Sequence, residues 1–134
     1  MMNKTITILL LALVSIVLGA CRDDDEQTRV KRTLQEALDH LQRGDVETYM
    51  HYTDFGCRLD STQQLYFGMA IRQKLCVQTQ TGQDVVSSVV TKAKMHSDTI
   101  ATVYYTQHFA NGDSVLCSQK MVRTQGTWRL RMRE

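Results

Sequence analysis

Ala101-Thr102-Val103-Tyr104-Tyr105-Thr106-Gln107-His108-Phe109-Ala110-Asn111-Gly112-Asp113-Ser114-Val115 decides the fold class. Ala101, Val103, Tyr105 and Phe109 alternate with polar or mixed neighbours, the period of a half-buried strand. Asn111-Gly112, set between two such runs, is the strongest hairpin signal in the chain. The same period extends in both directions. Upstream, Val85, Val89, Ala93 and Met95 share one face of a strand that follows Gly82 and ends at a Ser97-Asp98 turn. Downstream, a strand over residues 114–124 is turned at Gln125-Gly126 into a last one. There Trp128, Leu130 and Met132 face one way, and Arg129, Arg131 and Arg133 the other.

Before Gly82 the period is helical. Val30, Leu34, Ala37, Leu38 and Leu41 line one face of a helix over 27–43, with Lys31, Arg32, Gln35, Glu36, Asp39 and Arg43 opposite. Gly44 fits the stop, and Asp45 the N-cap of a short second helix over about 46–54 carrying Val46, Tyr49 and Met50. A third helix begins at Asp60 or Ser61, where Gln63 or Gln64 three residues on completes a capping box. Its stripe is Leu65, Met69 and Cys76, with Tyr66 and Ala70 beside it, and Gly68 weakens it by about 1 kcal/mol. Three helices followed by four strands on short connections specify an α+β domain, with an antiparallel four-stranded meander covered on one face by the N-terminal helices.

That order resembles the cystatin-like, nuclear-transport-factor-2-like cone, whose curved sheet wraps helices around a cavity. The resemblance extends over about Gln27 to Met132. It is carried by the opening amphipathic helix, the Leu41-Gln42-Arg43-Gly44-Asp45 join, and Met121-Val122-Arg123-Thr124-Gln125-Gly126-Thr127-Trp128-Arg129-Leu130. Members of that superfamily range from isomerases and dehydratases to empty scaffolds, and sheet-to-sheet homodimers are common among them, so the fold transmits no function.

The first residues supply an address. Met1 to Lys4 carries one positive charge, and residues 5–18 are almost wholly aliphatic and uncharged. Such a run is shorter than the ~20 apolar residues that span a bilayer and matches a secretory signal peptide. Its ending, Leu18-Gly19-Ala20-Cys21, resembles the lipobox of bacterial lipoproteins, whose cysteine is acylated and becomes the first residue of the mature chain. The organisation expected is therefore a signal peptide over 1–20, a lipidated Cys21 with an acidic tether to residue 26, and a single domain over 27–134. Small bacterial lipoproteins of uncharacterised function look similar throughout. Arg22-Asp23-Asp24-Asp25 resembles the surface-export signal of lipoproteins in some Gram-negative gut anaerobes. A solvated, self-repelling tether accounts for the same charges. The expected location is the bacterial outer membrane, lipid-anchored, facing either the cell surface or the periplasm.

Without residues 1–20, which hold Lys4, the formal charge falls from +2 to +1, and a near-neutral domain argues against nucleic acid. The chain contains no proline, so its turns must be built from Gly, Asn, Asp and Ser. Cys57, Cys76 and Cys117 allow at most one internal disulfide, in any of three pairings, or serve as three small buried apolar residues.

Residues able to do chemistry are sparse. An isomerase of this superfamily needs a carboxylate base and an oxyanion donor inside the cone. The faces expected to point inward between Val85 and Met132 hold Val103, Tyr105, Phe109, Val115, Cys117, Met121, Trp128 and Leu130, with no Asp or Glu. Asp84, Asp98 and Asp113 belong to strand ends or turns. Asp54 and Asp60, flanking the loop around Cys57, are the carboxylates that could reach a cavity mouth, although helix-end roles explain both. His40, His51, His96 and His108 lack partners at ligand spacing, and there is no Cys-x-x-Cys, so no metal or cofactor is expected.

Two binding features remain. Tyr49, Tyr66, Tyr105 and Trp128, with Tyr52, could line a pocket for a small apolar ligand, or belong to an ordinary core. Lys120, Arg129, Arg131 and Arg133 form a basic sheet face. If Gln125-Gly126 is a two-residue loop, Lys120 stands opposite Arg131 and Val122 opposite Arg129. Like charges so placed are destabilising unless offset, which suits an anionic partner, while a solvated face that discourages edge pairing would look the same. The function expected is a non-catalytic, membrane-anchored domain that binds a ligand or an envelope protein. The alternatives are a small isomerase- or lyase-like enzyme with its site in the cone, or a purely structural lipoprotein.

Overall fold

The computed structural model describes residues 25–132. The signal segment 1–20, Cys21, Arg22, Asp23, Asp24 and Arg133 lie outside the described residues. Among the described residues, no helix is long and apolar enough to cross a membrane.

Helix α1 runs over Asp25–Gln42. It starts before the expected residue 27, so Glu26, counted above with the tether, belongs to the domain. The Glu26 carboxylate accepts a hydrogen bond from Trp128 Nε1 at 2.9 Å and pairs with Arg123 Nη1 at 3.5 Å. Helix α2, Val46–His51, is capped by Asp45, whose Oδ1 accepts from the Thr48 amide at 3.3 Å. The chain then straightens into β1, Thr53–Asp54, where continued helix was expected. Helix α3, Ser61–Gln80, opens on the anticipated capping box: Asp60 Oδ1 accepts from the Gln63 amide, and Gln63 Oε1 accepts from the Asp60 amide.

Four long strands follow: β2 (Val85–Met95), β3 (Ile100–Phe109), β4 (Ser114–Thr124) and β5 (Thr127–Arg131). The sheet order is β1-β5-β4-β3-β2, so a fifth strand joins the four expected ones and the sheet is mixed. β1 lies parallel to β5, through Leu130 N–H to Tyr52 O at 2.8 Å and Met132 N–H to Asp54 O at 3.1 Å. The other pairings are antiparallel. Gln125-Gly126 closes the last hairpin with both residues at positive φ, 53° and 78°, the geometry of a two-residue turn that matches strand twist. The Asn111-Gly112 hairpin forms differently, on a longer loop in which the Gly112 amide bonds Phe109 O.

β2 carries irregularities between Val85 and Ser87 and between Val90 and Lys92. Each adds one residue and shifts the parity of what precedes it. Ala93 and Met95 face inward as expected, but so do Val90 and the buried Ser88, while Val89 lies on the exposed side. The bulged, twisted sheet curves without closing and holds α1 against its concave face. Val30, Leu34, Ala37 and Leu38 of α1 meet Ala101, Val103, Met121, Trp128 and Leu130 of the sheet and Tyr49 of α2 in one core.

The inner face of α3 is rotated from the expected stripe. Gly68 is buried and Ile71 and Leu75 are half-buried, whereas Leu65, Tyr66, Met69 and Cys76 are exposed. Gly68 faces α2: a Cβ there would meet Met50 Sδ at 3.6 Å, an ordinary contact distance.

Candidate functional site

A cleft of about 660 Å³ opens where α2, β1, the 55–60 loop, the first half of α3 and Arg129 of β5 meet. Local chemistry builds its wall. β1 ends at Asp54, whose Oδ1 accepts the Gly56 amide at 2.8 Å and reverses the chain. Phe55 then packs on Phe67 of α3 with ring centroids 5.1 Å apart, fastening the loop to the helix. The Asp60 cap starts α3 in the direction that brings Gly68 and Arg72 alongside α2.

The charged lining of the cleft is three arginines and two carboxylates. Arg58 from the loop, Arg72 from α3 and Arg129 from β5 all line it. Arg72 pairs at 3.5 Å with Glu47 of α2, an exposed contact that contributes little to stability but orients the guanidinium. Asp54, Glu47 and His51 complete the charged and titratable lining, with the exposed free thiol of Cys57. Three arginines line one concavity from separate elements, which suits an anion with several oxygens, for which the planar fork of arginine is matched. Among the described residues, no three His, Cys, Asp or Glu side chains stand close enough to hold a metal ion.

The expected site residues fall into separate places. Tyr49 and Trp128 are buried in the core and Tyr105 packs against it, whereas Tyr66 is 72% exposed on the outer side of α3. The four do not surround one pocket. On the basic face, Val122 does pair with Arg129, and the paired register ends at Met121–Leu130, just short of Lys120 and Arg131. Lys120 is exposed, Arg131 half-buried, and among the described residues of this set only Arg129 lines the cleft. Asp54 lines the cleft while shaping the turn that follows it, and Asp60 is the helix cap. Cys57, Cys76 and Cys117 are all free, the first two exposed, so neither a disulfide nor three buried residues describes them.

Among the histidines, His40 Nδ1 lies 3.2 Å from Asp45 and 3.1 Å from Arg43 Nη2, and His96 Nε2 is 2.8 Å from Thr102 Oγ1. The Thr48 hydroxyl and amide, ahead of His40, hold the Asp45 carboxyl below its usual range. Arg58 and Arg72 were invisible to periodicity. The available signal was Arg72 four residues after Gly68, on the side of α3 that approaches its neighbour.

The structure resembles that of a protein from Campylobacter jejuni described as an NTF2-like transpeptidase. The TM-score is 0.58 at 13% identity, over 75% of this chain and 94% of that one. Aln2 from a Streptomyces species is similar at a TM-score of 0.49 and 13% identity, over 78% of this chain and 84% of that one. No protein-family model matches the sequence, and no curated protein matches it. At this identity the likeness establishes the fold: the domain is NTF2-like, an α+β cone with a curved, unclosed mixed sheet.

Proposed function

We propose that the chain is a lipid-anchored envelope protein of the bacterial outer membrane, displayed at the surface, whose NTF2-like domain binds an anionic ligand without transforming it. The observation that carries the binding half is that Arg58, Arg72 and Arg129, from three separate elements, line one cleft. The cone interior supports binding over proton transfer: among the described residues, its buried side chains include no Asp, Glu or His. The anchoring half rests on Leu18-Gly19-Ala20-Cys21 and the aliphatic run before it. Several acyl chains, at about 0.8 kcal/mol per buried methylene, would hold the protein at the membrane permanently.

Each half has its own test. Protein purified from cells expressing the full chain is titrated with inorganic phosphate and with glucuronate. We expect saturable binding of at least one, weakened at least tenfold by Arg58→Gln with Arg129→Gln; equal affinity in the double variant overturns the cleft. Cys21→Ala is expected to abolish acyl labelling and membrane fractionation, and unchanged labelling overturns the anchor.

A further inference from the structure

We infer that the anion taken by the arginine cleft is an amphiphile, a short alkyl chain ending in an oxyanion, an inference that rests on the anion-binding reading. The head is selected by the charges left over in the lining. Among the described residues, neither Arg58 on the loop nor Arg129 on β5 has an ion-pair partner. The two carboxylates of the cleft are engaged. Glu47 pairs with Arg72 at 3.5 Å, and Asp54 Oδ1 accepts the Gly56 amide at 2.8 Å. The unpaired charge of the lining is therefore positive, and a charge-assisted bond to an oxyanion is the interaction it offers.

The tail is selected by the apolar side chains of the same cleft. Met50 of α2, Leu59 of the loop and Leu65 of α3 line it. Met50 and Leu59 are half-buried, and Leu65 is 62% exposed, so this hydrocarbon stays wet until a ligand covers it. Met69, one turn along α3 and also largely exposed, continues the apolar surface past the cleft. Gly68 is where the two characters meet. It lines the cleft without a side chain, and a Cβ there would lie 3.5 Å from Arg72 Nη1 and 3.6 Å from Met50 Sδ. A guanidinium nitrogen and a thioether sulfur thus border one spot, and methionine adapts to the shape of a tail. A small hydrophilic anion would leave Leu59 and Leu65 in water, and a neutral hydrocarbon would gain nothing from Arg58 and Arg129. An amphiphile uses both, with about fourfold in affinity for each methylene fully buried. The volume of about 660 Å³ lies within the range of small-molecule sites.

The test uses protein purified from cells expressing the full chain, titrated with acetate, butanoate, hexanoate and hexan-1-ol and followed by backbone amide NMR. The expected result is saturable shifts at Leu65, Gly68 and Arg72, with affinity rising along the series and hexanoate at least fivefold tighter than acetate. Hexan-1-ol should bind at least fivefold more weakly than hexanoate. Leu65→Gln, at an exposed position, should reduce the preference for hexanoate over acetate at least twofold. The series in the parent needs no variant, so a folding failure leaves it informative. Equal affinity for acetate and hexanoate at these amides overturns the tail and leaves the anion-binding reading standing. Equal affinity for hexanoate and hexan-1-ol overturns the head, and hexanoate shifts confined to other amides overturn the site. Saturable binding of none of the carboxylates, phosphate or glucuronate overturns the anion-binding reading and this inference with it.

Discussion

Burial keeps the Tyr105 hydroxyl neutral far into alkali. Its pKa is pushed up to about 12, first by desolvation, then by the negative charges that would develop on Cys117 opposite and on Tyr49. An unfolded tyrosine ionises near pH 10. Between pH 10 and about 12 the folded state therefore holds a proton that the unfolded state has lost, and stability must fall as pH rises through that window. A two-unit shift corresponds to about 2.7 kcal/mol at most, and partial solvent access reduces it. Urea unfolding of Tyr105→Phe is expected to show a flatter loss across this window than the parent, with little difference at pH 7. Tyr105 was legible as an inward residue from strand parity. Its hydroxyl environment was not, because Cys117 and Tyr49 arrive from other elements.

At the scale of the element, α1 has an apolar stripe that was fully legible and a polar face that misleads. Periodicity puts Gln35 on the solvent side; instead it seals the free edge of β2. Its Nε2 donates to Ser88 O at 2.7 Å, and its Oε1 accepts the Val90 amide at 2.9 Å, as a neighbouring strand would. Gln42 extends the seal to Val86 O. An edge strand with bare backbone groups invites pairing with other chains, and two glutamines remove that hazard here. Gln35→Ala strands two partly buried backbone groups and is expected to cost about 2 kcal/mol in urea unfolding, with increased light scattering on standing. Arg32→Ala, at an exposed position of α1, should cost under about 0.5 kcal/mol. The Gln35 contacts span more than fifty residues, so spacing along the chain carried no trace of them.

At the scale of the whole molecule, stability is uneven. α1 and the four long strands share the core, while α3 buries only Gly68 fully and leaves Leu65, Tyr66, Met69 and Val77 largely exposed. Local opening should follow that division. Hydrogen exchange is expected to be at least tenfold faster at α3 amides than at paired amides of β3. Gly68→Ala tests the cause: a Cβ would meet Arg72 Nη1 at 3.5 Å and Met50 Sδ at 3.6 Å, ordinary contact distances, at an ordinary helical φ. Restoring helix propensity should stabilise α3 by about 0.5–1 kcal/mol and slow its exchange about two- to fivefold.

Local physics determined the elements. Period two with Asn111-Gly112 and Gln125-Gly126 turns, and period 3.6 with Asp45 and Asp60 caps, act within a few residues, and they specified three helices, four strands and the face of α1 unaided. What acts across the chain was decided only on folding. β1, two residues long, offers no period and exists because Leu130 and Met132 donate to Tyr52 and Asp54. The bulges in β2 set which valines face inward, and packing against α2 set the rotation of α3. Arg58, Arg72 and Arg129 share a cleft because elements far apart in sequence meet there. Propensity is a property of neighbours along the chain, whereas a site is a property of neighbours in space.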